Sequence, residues 1–239
     1  MSTHEEGSAY DRLFYPYLFA GGKADPVEVL AQVRHSTLEK CREIVALRQA
    51  ELIASRDLIV AAGQTMATAF VAGATLLAFG NGGSATDAQD LVTDLVHPPR
   101  EDWHALPALS LTSDAAVLTA VGNDVGFNNI FARQIIAFGQ PGDIAFGIST
   151  SGSSINVLLA LEQARKQGLI TIGLAGNLGG KMLRSPTLDF CLLAPSDHIP
   201  RIQEGQATIY HSLLEIVHTR LKTPVAREEE KNHEHEIHR

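Results

Sequence analysis

An apolar run that breaks into glycines constrains this chain more than any other feature. Ala74-Thr75-Leu76-Leu77-Ala78-Phe79 is short and unbroken, the pattern of a parallel strand buried on both faces. Gly80-Asn81-Gly82-Gly83-Ser84 follows and leads into a helical pattern. Glycines there let the backbone turn sharply and let a ligand approach its N–H groups. The unpaired N–H groups and the dipole of the next helix favour an anion at that junction, a phosphate above all. Ser84 with Asp87 three residues on also fits an ordinary helix N-cap. The spacing matches neither the dinucleotide fingerprint nor the P-loop.

Beyond Ser84 the chain alternates strand and helix patterns. Strands are expected at 107–111, 143–148, 170–174 and 188–193, with helices at 115–121, 128–138 and 154–167, a short one at 180–183 and a last one at 200–222. Such alternation predicts an α/β fold with a parallel sheet covered on both faces and ligands at the carboxyl ends of its strands. Before the first strand, Asp25 as N-cap and Pro26 at the first helical position open one helix, and Ser55 is expected to cap a second, ended by Gly73. The apolar stripes of these two helices suit an oligomer interface. Ser149-Thr150-Ser151-Gly152-Ser153-Ser154 repeats the strand-to-helix turn with hydroxyls added, so two turns can grip one phosphate.

Composition narrows the class. At 239 residues and 45% hydrophobic content, one domain with extensions is expected: an arm over 1–25, a body over 26–222 and a polar tail over 223–239. The arm carries Tyr10, Phe14, Tyr15 and Tyr17 without a clear period, which suits either packing on a partner subunit or a loose extension. The tail, with His233, His235 and His238, reads as disordered rather than metal-binding, because a floppy segment bears the ordering entropy of its own ligands. Neither a signal peptide nor a membrane span is expected. Cys41 and Cys191 lack metal-site spacing and read as structural thiols in a cytoplasmic protein. A net charge of −8 argues against direct nucleic-acid binding.

Asp90 and Asp94 lie four residues apart, on one helix face, and Gln203, Ala207 and His211 form a matching stripe on the last helix. Converging, they would make an oxygen-rich divalent-metal site with one imidazole. Taken by spacing alone, solvent-facing carboxylates and a packed core histidine describe the same residues better.

Five motifs occur together and in order: Gly80-Asn81-Gly82-Gly83-Ser84-x-x-Asp87-Ala88, Val121-Gly122-Asn123-Asp124-x-Gly126-Phe127, Ile148-Ser149-Thr150-Ser151-Gly152-x-Ser154, Gly179-Gly180-Lys181-Met182 and Arg201-Ile202-Gln203-Glu204. In this the chain resembles the phosphoheptose isomerases, sugar-isomerase (SIS) domain proteins, over about residues 55–222. The resemblance implies a three-layer sandwich with a five-stranded parallel sheet and an N-terminal helical extension, a homotetramer, a divalent metal, typically zinc, and conversion of sedoheptulose 7-phosphate to glycero-manno-heptose 7-phosphate. By position it implies substrate contacts at Asn81, Gly82, Gly83, Ser84, Asn123, Asp124, Ser149, Thr150, Ser151, Ser154 and Gln203. It implies metal ligands at Asp90, Asp94, Gln203 and His211, with Asp94 as base and His211 as its acid partner.

Two of those positions depart from the family, which typically has histidine at 90 and glutamate at 94. Aspartate at 94 is shorter by one C–C bond, roughly 1.5 Å of reach, and carboxylate at 90 makes the site harder, favouring manganese or magnesium relative to zinc. The competing expectation is a non-catalytic sugar-phosphate-binding protein of the same fold, resembling the replication-initiator-associating proteins and acting through protein partners.

Overall fold

The computed structural model describes residues 25–222. The aromatic arm before residue 25 and the histidine-bearing tail from 223 lie outside the described residues. The chain divides into two compact units, 1–42 and 43–239.

Helix α1, Pro26–Val71, is a single helix of 46 residues, not the two expected. Asp25 caps it as its sequence predicts, its Oδ1 accepting from the Val27 amide at 2.9 Å. Ser55 stops nothing. A serine caps a helix only where the chain already turns, and neither proline nor glycine lies between Pro26 and Gly63, where a Cβ would meet Ile216 at 2.7 Å. Thr37, Thr65 and Thr68 likewise stay helical by donating to carbonyls four residues back. The helix ends before Gly73, whose φ of +89° no other residue adopts as readily.

Thereafter the order is β1 (Leu76–Gly80), α2 (Gly83–Val96), β2 (Ala108–Ser110), α3 (Ala115–Asp124), a 3₁₀ turn (Phe127–Asn129), α4 (Ala132–Phe138), β3 (Ile144–Ser149), α5 (Ile155–Lys166), β4 (Ile170–Gly176), a second 3₁₀ turn (Met182–Arg184), β5 (Phe190–Ala194) and α6 (Ile199–Lys222). The short helix expected at 180–183 is thus the second 3₁₀ turn. The last strand begins two residues later than its apolar pattern suggests, because Asp189 uses its carboxylate to accept from the Thr171 amide and hydroxyl before pairing starts. Among the described residues no helix is long and apolar enough to cross a membrane.

The five strands form one parallel sheet in the order β2-β1-β3-β4-β5. Alternate side chains serve two cores. Leu76, Ala78, Phe146 and Leu174 pack with Met66 of α1, Leu91 of α2 and Leu213 of α6. Leu77, Phe79 and Ala145 pack with Ile135 of α4 and Leu161 of α5 on the other face. This is the expected three-layer sandwich. Strand order reverses between β1 and β3, and Gly80 pairs with Ile148 in register, so the glycine and serine loops leave the sheet side by side at the switch point where α/β sheets collect ligands.

Candidate active site

The glycine loop forms because β1 must turn at once into α2. Gly82 takes φ +55° and ψ −123°, which strains any side-chain-bearing residue, and its carbonyl starts α2 by accepting from the Ala85 amide at 2.9 Å. Helix α2 therefore begins at Gly83 with Gly82 as its cap. Ser84, the cap in the alternative reading of this stretch, is instead buried in the first turn, because the turn is made one residue earlier than a Ser84 cap requires, at Gly82, and no side chain caps the helix. At Gly83 a Cβ would lie 1.8 Å from Nε2 of Gln203, so the missing side chain is what admits the Gln203 amide to the mouth of this loop.

Beside it, the hydroxyl of buried Ser149 meets that of Ser154 at 2.9 Å and approaches that of Ser151 at 3.4 Å. Ser154 is the N-cap residue of α5 yet makes no capping bond, its hydroxyl being turned to Ser149. The Val157 amide in the first turn of α5 donates to Asn156 Oδ1 at 3.0 Å, while those of Ile155 and Asn156 have no side-chain acceptor among the described residues, the condition for an anion site at a helix start. Asn156, which the sequence reading overlooked, joins the two loops: its side-chain amide and that of Asn81 exchange two hydrogen bonds of 2.8 Å. Its only signal was position, two residues past Ser154 in the helix opening. Thr150 continues the loop half-buried.

The Gly179-Gly180 motif holds the serine loop from behind. A Cβ on Gly180 would meet the Ser151 carbonyl oxygen at 2.3 Å, and one on Gly152 would meet that of Gly179 at 2.1 Å. The Met182 amide donates to the Gly152 carbonyl at 2.9 Å and the Lys181 amide to Ser153 Oγ at 3.2 Å. Arg201 and Glu204 of the last motif form an ion pair on α6, and Arg201 Nε also donates to Glu43 at 3.3 Å. Asn123 and Asp124 stand exposed at the end of α3, with Asn123 Nδ2 donating to Asp124 Oδ1 at 2.8 Å. Among the described residues no hydrogen bond links either of them to the two loops.

Helices α2 and α6 bring Asp90, Asp94 and His211 together. His211 Nε2 lies 3.4 Å from Asp94 Oδ2 and 3.7 Å from Asp90 Oδ2, and one ligand atom from each residue falls within 4.8 Å of the others. His211 is half-exposed, which overturns its reading as a packed core histidine. Two carboxylates and one imidazole, open to solvent on one side, fit the donor set of a divalent-metal site. Gln203, two turns earlier on α6, rests instead against Gly83.

Electrostatics suit proton transfer. Burial, then the neighbouring Asp90 charge, raises the pKa of Asp94 from its ordinary value, against the opposing pull of His211. The same two causes push Asp87 up to about 6, and its buried Oδ2 has no hydrogen-bond partner. Tyr210 donates its hydroxyl to Asp90 Oδ2 at 2.7 Å, and burial, followed by that bond, raises its own ionisation far above normal, so it remains a donor.

Comparisons with known proteins agree with this architecture. The SIS domain family matches residues 41–176. The phosphoheptose isomerase of Solidesulfovibrio magneticus is 48% identical over 161 residues, 67% of this chain and 78% of the relative. That of Citrifermentans bemidjiense is 44% identical over 195 residues, 82% of this chain and 96% of the relative. Among solved structures, the phosphoheptose isomerase GmhA of Neisseria gonorrhoeae superposes with a TM-score of 0.72 at 32% identity, covering 78% of this chain and 99% of that one. The chain belongs to the phosphoheptose isomerase family of SIS-domain proteins.

Proposed function

We propose that the protein is an isomerase that interconverts sedoheptulose 7-phosphate and D-glycero-D-manno-heptose 7-phosphate. The observation that carries this reading is the separation between the paired loops and the Asp90–Asp94–His211 cluster. Along α2, Asp90 and Asp94 stand roughly 10 and 16 Å beyond Gly83 at 1.5 Å per residue. From phosphorus to C1, an extended heptose 7-phosphate spans eight bonds, roughly 10 Å at about 1.2 Å per bond of extended chain. A phosphate seated between the glycine and serine loops would set C1 near the level of Asp90, and Asp94, one turn or about 6 Å farther along α2, would reach back to it because helical side chains tilt toward the helix N-terminus.

In this reading Ser149, Thr150, Ser151, Ser154 and the N–H groups of Gly82 and Gly83 bind the phosphate, while Gln203, Asn123 and Asp124 orient the sugar hydroxyls. Asn81 acts by holding the two loops in register. Asp94, made more basic by burial, takes the proton from C1 of the ketose and returns it to C2, with an enediol between the two steps. His211 moves the second proton between the C1 and C2 oxygens. Asp90, Asp94 and His211 would hold a divalent cation, which would supply Lewis acidity at those oxygens, and Gln203, implied by the resemblance as a further ligand, lies against Gly83 outside that set. Zinc is the metal the family resemblance implies. The proposed setting is the cytoplasm and the proposed assembly a homotetramer.

Turnover of sedoheptulose 7-phosphate with added zinc, manganese or magnesium tests the reading. Asp94→Asn and His211→Ala are each expected to lower kcat at least a hundredfold, the usual scale of acid–base catalysis, with sugar-phosphate affinity nearly intact. Asp94→Glu is expected to retain or raise activity by lengthening the reach of the base. Replacing Ser149 and Ser151 together by alanine is expected to weaken binding, and unchanged affinity in a calorimetric titration removes the phosphate cradle. Binding without turnover under every metal would return the non-catalytic alternative, which the isomerase relatives do not favour.

A further inference from the structure

Tyr210 is 2% exposed, and its ring belongs to the apolar layer between α6 and the sheet. Phenylalanine would fill that space equally well, so packing accounts for the ring and leaves the hydroxyl unexplained. That hydroxyl reaches the edge of the core and donates at 2.7 Å to Oδ2 of Asp90, a charge-assisted bond to a carboxylate that is itself half-exposed. On its other side the Tyr210 ring lies 4.5 Å from the His211 ring, tilted by 55°. One side chain thus touches two members of the cluster.

Asp90 needs such a partner. Asp87, Asp90 and Asp94 follow at spacings of three and four on α2, so three like charges share one helix face and repel one another. An unheld aspartate in the middle of that row would turn toward water. The Tyr210 ring is locked in the core and cannot follow, so its bond defines where the Asp90 carboxylate stands. It also occupies Oδ2, and Oδ1 has no hydrogen bond among the described residues. Resting on the reading of this cluster as a metal centre, we infer that Tyr210 is a positioning residue: its hydroxyl holds the Asp90 carboxylate in the geometry that a divalent cation uses.

The test is a titration of metal-stripped full-length protein with Mn²⁺ alone, run well below the melting temperature of every variant compared. Tyr210→Phe is expected to weaken Mn²⁺ binding on the order of tenfold, the lower end of what removing an outer-shell partner costs. Its metal-free melting temperature and its affinity for sugar phosphate are expected to stay near wild type. In an Asp90→Ala background the same change is expected to have no further effect, because the hydroxyl then has nothing to hold. Steady-state kinetics give a second readout: kcat falls while KM is unchanged. Wild-type Mn²⁺ binding with an unaltered Tyr210→Phe variant, or an equal loss in both backgrounds, overturns this inference alone. A wild type that binds no divalent cation overturns the metal reading and this inference with it.

Discussion

Glu51 of α1 is the most deeply buried carboxylate among the described residues, 2% exposed, with neither oxygen hydrogen-bonded. It sits where Gly205 leaves room on α6, since a Cβ there would lie 2.3 Å from its Oε1. Burial, against the weaker pull of Arg48, raises its pKa to about 7 from 4.5. The folded state then holds this proton more tightly than the unfolded state, so its contribution to stability is present below pH 4.5 and is lost as pH rises through 7, a difference of roughly 3 kcal/mol. His218 runs the other way. Stacked on Trp103 at 4.2 Å with its buried Nε2 unpartnered, it has its pKa lowered by burial to about 4, so its contribution is present above 6.5 and is lost as pH falls through 4. The two effects oppose each other across one window, and substitution should separate them. Glu51→Gln, a neutral mimic of the protonated acid, is expected to melt higher than wild type above pH 7 and to converge with it below pH 4.5. Thermal melts across that range check the sign, and a constant offset at all pH values would refute the account.

At the scale of elements, the site depends on loops that support one another rather than on any loop alone. The serine loop is backed by Gly179 and Gly180, where side chains have no room and where φ is +78° and +54°. Gly180→Ala drives a Cβ into the Ser151 carbonyl and strains the backbone by on the order of 1–3 kcal/mol. The expected result is sugar-phosphate binding weakened about tenfold through displacement of a loop that the substituted residue does not belong to; calorimetric titration reads it, and wild-type affinity would show that the loop is held otherwise. The long helix α1 teaches the converse lesson. Its apolar residues recur through Ser55 without interruption, and continuous propensity outweighs a lone capping residue.

At the scale of the whole molecule, α1 leaves apolar side chains uncovered: Val27 is 73%, Leu30 68% and Ile53 84% exposed. Unpartnered apolar residues along a helix support the proposed homotetramer. Light scattering of the full chain is expected to give a tetramer at micromolar concentration, and the double substitution Leu30→Asp with Ile53→Asp a smaller species; a monomeric wild type would sink the proposal. The α/β class, the parallel sheet and both phosphate-compatible loops were legible in the sequence, because short apolar runs and glycine punctuation are local and each motif carries its own geometry. The ordered set of five motifs extended that reading to the family. What no local rule could decide was which partners meet across elements. The Asn81–Asn156 pair, the docking of Gly180 on Ser151, and the bond from Tyr210 to Asp90 join residues 75, 29 and 120 positions apart. The same limit applied to His211, which helical spacing could equally have buried. Its environment came from the packing of α6 beside α2, a tertiary contact in which the shape of both helices decides which side chains face each other.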